Sequence, residues 1–323
     1  MELLRDGRHP FPAGVFLCGV THGYPAASGG RRRPAFGRAF RPDPPPGAPG
    51  SLGAAVSWNG EGNEMPERGP IKAWLTDMDG VLVREGVPLP GAAEFIEALK
   101  SSGKPFLVLT NNSIYTPRDL QARLARMGLQ VPEASIWTSA LATAKYVDDQ
   151  RPGGSAYVIG EAGLTTALHQ IGYVLTDSNP DFVILGETRQ YSFEAMTKAV
   201  RLVEAGARFI CTNPDETGPS PEGPLPATGA VAALITKATG KSPYFIGKPN
   251  PLMMRHGLNT IGAHSENAAM IGDRMDTDVL AGLEAGLETF LVLSGLTKKE
   301  EVDNFPYLPT HVADSIADLV GLV

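Results

Sequence analysis

Cysteine is almost missing from this chain of 323 residues, which has only Cys18 and Cys211. Two isolated thiols build neither a disulfide framework nor a cysteine metal site, so a reducing, cytoplasmic setting is expected. Long apolar runs are also missing. None approaches the ~20 residues that span a bilayer, so no membrane partner is expected. A basic excess is lacking too. The 28 Lys and Arg face 35 Asp and Glu, for a net charge of -7. That balance argues against binding a nucleic-acid polymer, and it leaves room for a local basic pocket. The 6 histidines lack ligand spacing, and His169 and His256 fall in helical stretches as packing or surface residues. No repeat of fixed period is visible.

What is present is a globular composition, 42% hydrophobic and 20% charged, on a chain long enough for one large or two ordinary domains. Residues 1–69 are a different material, with 10 Pro and 13 Gly. The run "RPDPPPGAPG" suits neither a helix nor a central strand. A signal peptide is disfavoured because "FPAGVFLCGV" is short, carries Pro12 and follows Asp6. A transit peptide matches the arginines but not the Gly and Pro load. The leader is read as an unstructured extension, with Met65 as an alternative start.

From Ile71 onward, apolar runs alternate with helical patterns. "GAAEFIEALKSSG" predicts a helix over Ala92–Ser102 closed by Gly103. "TPRDLQARLARMG" predicts one capped by Thr116, with Pro117 at its first position and Gly128 as its stop. The alternation implies an α/β fold around a mostly parallel sheet, and its length implies two domains, one inserted in the other. "QRPGGS" and "TGKSP" are the candidate hinges.

The polar residues that follow the apolar runs carry the functional signal. "AWLT" leads to Asp77 and Asp79, "FLVL" to Thr110, Asn111 and Asn112, "YFIG" to Lys248, and "AAMIG" to Asp273 and then Asp278. Ligands bind beyond the carboxyl ends of parallel strands, so four strands are expected to deliver these groups to one edge. Asp77 and Asp79 face the same way in extended chain. Crowded carboxylates without His or Cys suit a hard cation such as Mg²⁺, and Thr110 and Lys248 suit an anion. The set reads as a phosphate site with a carboxylate nucleophile.

"DMDGVL", "LTNNS", "GKPNP" and "GDRMDTDVLAG" resemble, in order, the four motifs of the haloacid dehalogenase superfamily. "NPDFVILGETRQYSFEAM" and "GARFICTNPD" resemble its NagD-type nucleotide phosphatases, and the likeness runs from Ile71 to Val323. The resemblance implies a Rossmann-like core over residues 70–149 and 245–323, with an inserted α/β cap over 150–244. Asp77 is then the nucleophile, and Asp79 the acid and later base. Thr110 and Lys248 bind the phosphoryl group. Asp77, the Asp79 backbone carbonyl and Asp273 hold Mg²⁺, and Asp278 orients Lys248 or metal-bound water.

Each position also has a plainer reading. Asn111 and Asn112 serve either the strand-end backbone or the phosphate, and Asn213 and Asp215 either a turn or the substrate. Asp276 is a helix-start acid, and Glu187 and Arg189 read as a structural pair. "GEAG" at Gly160 lacks a dinucleotide fingerprint. The implied activity is Mg²⁺-dependent hydrolysis of a small phosphorylated metabolite through an aspartyl-phosphate, with UMP as the first substrate. Sugar phosphates, phosphoglycolate and pyridoxal phosphate are the alternatives. A phospho-acceptor switch and a non-catalytic binder are the rivals of another class, and exposed cap surfaces leave room for a homo-oligomer.

Overall fold

The run Ala73–Asp77 is buried at every position, and so is its neighbour Phe106–Thr110. A strand buried on both sides needs helices on both faces of its sheet. On one face Trp74, Val108 and Ile271 pack with Phe95, Ile96 and Leu99 of the helix Ala92–Ser102 and with Leu120 and Leu124 of the helix Pro117–Arg126. Trp74 meets Phe95 edge to face at 6.0 Å. On the other face Leu75, Leu107, Leu109 and Met270 pack against Met253, Met254 and Leu258 of the helix Pro251–Thr260.

The computed structural model describes residues 56–57, 69–218 and 223–323. The first sheet runs in the order Val56–Ser57, His311–Ala313, Glu288–Val292, Ala268–Gly272, Ala73–Asp77, Phe106–Thr110, Ile136–Thr138. All its pairings are parallel except the antiparallel Val56–Ser57 edge. That edge pair differs from the unstructured leader expected over residues 1–69: it extends the open side of the sheet beside His311 and Val312. The rest of that expectation, including Met65 as a start, lies outside the described residues. A second parallel sheet runs Tyr244–Phe245, Arg208–Cys211, Phe182–Leu185, Ser155–Ile159, Val174–Leu175. The described residues form an α/β fold, and among them no helix is long and apolar enough to cross a membrane.

Both predicted helices form as read. Gly103 closes the first in the left-handed region, and Thr116 caps the second by accepting from the Asp119 amide. The "YFIG" run behaves differently. Tyr244 and Phe245 pair with Ile210 and Cys211 in the second sheet, and the Ile246 and Gly247 amides continue onto Cys211 and Thr212 carbonyls. Lys248 therefore reaches the first sheet from a crossing loop, and three core strands rather than four supply the edge. The return crossing lies beyond "TGKSP", while the outward one is at "QRPGGS", between the helix Ser139–Gln150 and the strand starting at Ser155. "MDTDVLAGLEAG" also departs from a simple helix: it opens with a wide turn over Met275–Val279 before the short helix Leu280–Glu284.

Candidate active site

Register brings the strand ends together. Asp77 pairs with Leu109, which puts Thr110 one step further along the adjacent strand. Thr76 pairs with Ile271 on the other side, so Asp273 sits beyond the same edge. After Asp77 the chain turns sharply, with the Leu82 and Val83 amides both donating to the Met78 carbonyl at 3.0 Å. Gly80 takes φ of 83° there, a conformation that side chains other than glycine resist. A methyl on Gly80 or Gly295 would also overlap the Asp273 carboxylate, so both glycines let backbone close around that acid.

Lys248 Nζ donates to Asp77 Oδ1 at 2.6 Å and to Asp278 Oδ1 at 2.7 Å, and all three side chains are buried. Asp278 Oδ2 accepts the Asp273 and Arg274 amides at 3.2 and 3.1 Å. Asp273 Oδ2 accepts the Leu296 amide at 2.8 Å. Carboxylate oxygens of Asp77, Asp273 and Asp278 lie within 4.8 Å of one another. Three carboxylates against one ammonium leave the cluster short of positive charge, and its hard oxygen donors fit a divalent cation. Asp278 already has both oxygens engaged, so it is placed to orient rather than to ligate.

The electrostatics follow from burial. Desolvation pushes the Asp77 carboxyl well above the usual range, Lys248 opposes it, and Asp278, Asp273 and Asp79 add to the rise. Asp273 is pushed up to about 7, first by burial and then by Asp278. Burial lowers Lys248, yet Asp278 and Asp77 more than reverse this and hold it charged. Asp79 opens to solvent at the mouth of the site. The protein around it still raises its carboxyl by desolvation, against Lys248.

Thr110 is buried, and its Oγ1 accepts the Asn112 amide at 3.1 Å. Asn111 straps the crossing loop in place. Its Oδ1 accepts the Lys248 amide at 2.8 Å, while Nδ2 donates to the Lys248 carbonyl at 3.0 Å and to Asp215 Oδ2 at 2.9 Å. Asn112 Oδ1 accepts the Ile114 and Tyr115 amides, the turn-forming reading. Asn213 is buried and donates to Asp215 Oδ2 at 2.7 Å. Asp276 pairs with Arg274 through both of its oxygens.

Sequence reasoning passed over two neighbours, Arg274 and Ser113, and misassigned a third, Glu187. Arg274 reaches Asp215 Oδ1 at 3.3 Å. Ser113 and Glu187 exchange bonds: Ser113 Oγ accepts the Glu187 amide at 2.9 Å, and Glu187 Oε2 accepts the Ser113 amide at 3.3 Å. Glu187 forms no ion pair with Arg189 among the described residues, which corrects the structural pair read from sequence. The signal for Ser113 was its place three residues after Thr110. "GEAG" is a packing feature: a methyl on Gly163 would overlap the Ser113 and Tyr115 carbonyls, and its amide donates to the Ile114 carbonyl at 2.9 Å. Burial pushes the Cys211 thiol up, which removes it as a rival nucleophile.

A haloacid dehalogenase-like hydrolase model matches residues 74–174, and a second, HAD-hydrolase-like, model matches residues 245–319. A dihydroxyacetone phosphatase of Corynebacterium glutamicum (strain R) is 64% identical over 247 residues, 76% of this chain and 90% of that protein. The ribonucleotide monophosphatase NagD of Escherichia coli (strain K12) is 45% identical over 249 residues, 77% of this chain and 98% of that protein. The chain belongs to the haloacid dehalogenase-like hydrolases, in their NagD-type branch. The solved structure of NagD from E. coli K-12 superposes with a TM-score of 0.74 at 44% identity, covering 77% of this chain and 98% of that one. This NagD-type hydrolase is a phosphoric monoester hydrolase acting on small phosphate substrates. The switch and the idle binder lose their footing against such relatives.

Proposed function

We propose that the enzyme hydrolyses phosphate monoesters of short sugars and polyols, with dihydroxyacetone phosphate first and UMP second. Carrying the chemistry is the Lys248 ammonium set between Asp77 and Asp278, beside Asp273. Ranking the substrates is the identity of 64% to a dihydroxyacetone phosphatase against 45% to a ribonucleotide phosphatase. The second sheet with its helices is read as the inserted cap over 150–244, resting on the core at residues 70–149 and 245–323.

An Asp77 carboxylate oxygen attacks phosphorus, and the alcohol departs to leave an aspartyl-phosphate. Asp79 donates a proton to the leaving oxygen. Its raised pKa keeps that proton on the carboxyl closer to neutral pH than for a free aspartate. The resulting carboxylate then takes a proton from the water that attacks phosphorus and returns Asp77. Lys248 and the Thr110 hydroxyl hold the non-bridging oxygens in line, which is most of the task for a loose phosphoryl-transfer transition state. Asp278 keeps Lys248 aimed. Asp77, Asp273 and the Asp79 carbonyl would hold Mg²⁺, which supplies charge neutralisation at the phosphoryl oxygens. Asn111 positions the Lys248 backbone, and Asn213, itself buried, holds Asp215 on the leaving-group side. The low cysteine count supports a reducing, cytoplasmic setting.

Phosphate release from dihydroxyacetone phosphate, glycerol phosphates, UMP, phosphoglycolate and pyridoxal phosphate, with Mg²⁺ and with EDTA, tests this. Metal-dependent release that is lost in Asp77→Asn, with dihydroxyacetone phosphate ranked first, is the expected result. A folded, Mg²⁺-loaded sample that releases phosphate from none of them overturns it.

A further inference from the structure

Glu187 lies where the mechanism above leaves a gap. The phosphoryl group is handled by Lys248, Thr110 and Asp77, all at the floor of the site. The leaving group departs on the side of Asp79. Glu187 comes to that side from the second sheet, two residues past the end of the strand Phe182–Leu185. It is fixed to Ser113, three residues after Thr110, by the reciprocal bonds of 2.9 and 3.3 Å. A surface glutamate held only by solvent would have no such pre-set position.

Its surroundings are acidic and lack a cation. Burial pushes the Glu187 carboxyl up to about 7; the Ser113 amide opposes this, Asp215 and Asp79 add to it, and the Asn213 side chain opposes it. Contacts run the same way: Ser113 Oγ accepts from Thr212 Oγ1 at 3.3 Å, that hydroxyl meets Asn213 Oδ1 at 2.8 Å, and Asn213 donates to Asp215 at 2.7 Å, so the Ser113 clamp sets Glu187 on the Asn213–Asp215 side. The positive groups nearby are committed elsewhere: Lys248 to Asp77 and Asp278, and Arg274 to Asp215 and Asp276. No lysine or arginine pairs with Glu187 among the described residues. Glu187 as a residue is half-buried, and the Ser113 amide takes its Oε2, which leaves Oε1 as the acceptor for a ligand.

We propose that Glu187 is a specificity-determining residue, accepting hydrogen bonds from hydroxyls of the leaving group and rejecting leaving groups that carry a carboxylate. This rests on the phosphatase reading above and deepens it, because it selects dihydroxyacetone-like and polyol phosphates over phosphoglycolate and phosphoglycerate. A hydroxyl donates to the carboxylate. Above pH 7, where Glu187 is ionised, a second carboxylate would face it without a cation between them, and like charges in a partly desolvated site repel strongly. A site built to bond a hydroxyl also discriminates against analogues that lack one.

The test compares kcat/KM for dihydroxyacetone phosphate and 2-phosphoglycolate, each relative to p-nitrophenyl phosphate and at a pH well above 7 where Glu187 is ionised, in the wild type, Glu187→Gln and Glu187→Ala. The ratio is the readout, so a general loss of activity cancels. Gln keeps an acceptor for the Ser113 amide and removes the charge. The wild type is expected to favour dihydroxyacetone phosphate by roughly tenfold or more, and Glu187→Gln to shrink that preference about tenfold. A wild type that turns over both esters equally overturns the proposal, even if neither variant folds. An unchanged ratio in a folded Glu187→Gln overturns it too, and leaves Glu187 as a clamp on Ser113. Absence of any p-nitrophenyl phosphate turnover by the wild type is a different failure, that of the phosphatase reading itself.

Discussion

Arg274 Nη1 lies 3.3 Å from Asp215 Oδ1, and this contact ties the turn behind Asp273 to the loop that follows the second sheet's strand Arg208–Cys211. The other Asp215 oxygen receives Asn111 and Asn213 at 2.9 and 2.7 Å. One carboxylate thus gathers donors from the core strand end, from its own loop and from the far turn. Arg274 is held in turn by Asp276. The joint is partly exposed, so its worth lies in positioning more than in raw stability.

Asp215→Ala leaves the Asn111 and Asn213 amides and the Arg274 guanidinium without their shared acceptor. A loss of about 1–3 kcal/mol is expected, or roughly 5–150-fold in kcat/KM, felt mainly in KM. Asp215→Asn, which keeps one acceptor, should lose less. Steady-state kinetics on dihydroxyacetone phosphate checks the order of the two variants.

Removing the metal should be visible in stability as well as in activity. Asp77, Asp273 and Asp278 crowd one site with a single ammonium. A cation that binds only the folded form raises the melting temperature, by the equivalent of ~2.7 kcal/mol at a hundred times its dissociation constant. Thermal melts across a Mg²⁺ titration should rise for the wild type and stay nearly flat for Asp273→Asn. Equal shifts in both would show that these carboxylates do not hold the ion.

Gly295→Ala should damage the same site without touching a carboxylate. The new methyl overlaps Asp273, whose Oδ2 is fixed by the next amide, Leu296. Displacing that acid is expected to raise the Mg²⁺ concentration for half-maximal activity roughly tenfold or more. The overpacking should cost about 1–3 kcal/mol of stability. Mg²⁺-dependent kinetics alongside urea melts separates the two effects.

Asp181 gives a stability prediction far from the chemistry. Its Oδ2 accepts the Ser155 amide and hydroxyl, both at 2.9 Å, and Oδ1 pairs with Arg151 at 2.8 Å. Burial raises its pKa, but the Ser155 bonds, Arg151 and Arg208 outweigh that, and the carboxyl ends below the ordinary 3.8. A lowered folded pKa contributes stability that is complete above the unfolded value and fades as pH falls through the folded one. Asp181→Ala should therefore cost about 1 kcal/mol at pH 7 and progressively less below pH 4. Urea melts at pH 7 and pH 3.5 would show whether the gap closes.

The floor of the site was legible because most of its polar groups end buried apolar runs, and water-seeking groups there need a reason. Asp77, Thr110 and Asp273 all follow that rule. Lys248 was found for a partly mistaken reason. "YFIG" looks like a core strand, yet only Tyr244 and Phe245 pair, and they do so with the second sheet. Local pattern marks a strand without saying which sheet will take it. Glu187 was misread because a nearby arginine in sequence is an easy partner, whereas its real partner, Ser113, is 74 residues away. Arg274 and Asp215, 59 residues apart, were missed as a pair for the same cause. Contacts between layers leave no periodic trace along the chain.

Lys248 and Asp77 are 171 residues apart in the chain and 2.6 Å apart in the fold. Chains are made from the N-terminus at about 5–20 residues per second, so Asp77 precedes Lys248 by roughly 10–30 s on the ribosome. Asp273 and the Leu296 amide that fixes it come later still. The growing polypeptide thus carries Asp77 for most of its synthesis without the partners that surround it in the fold. The cluster closes only when the final quarter of the chain docks onto strands already made.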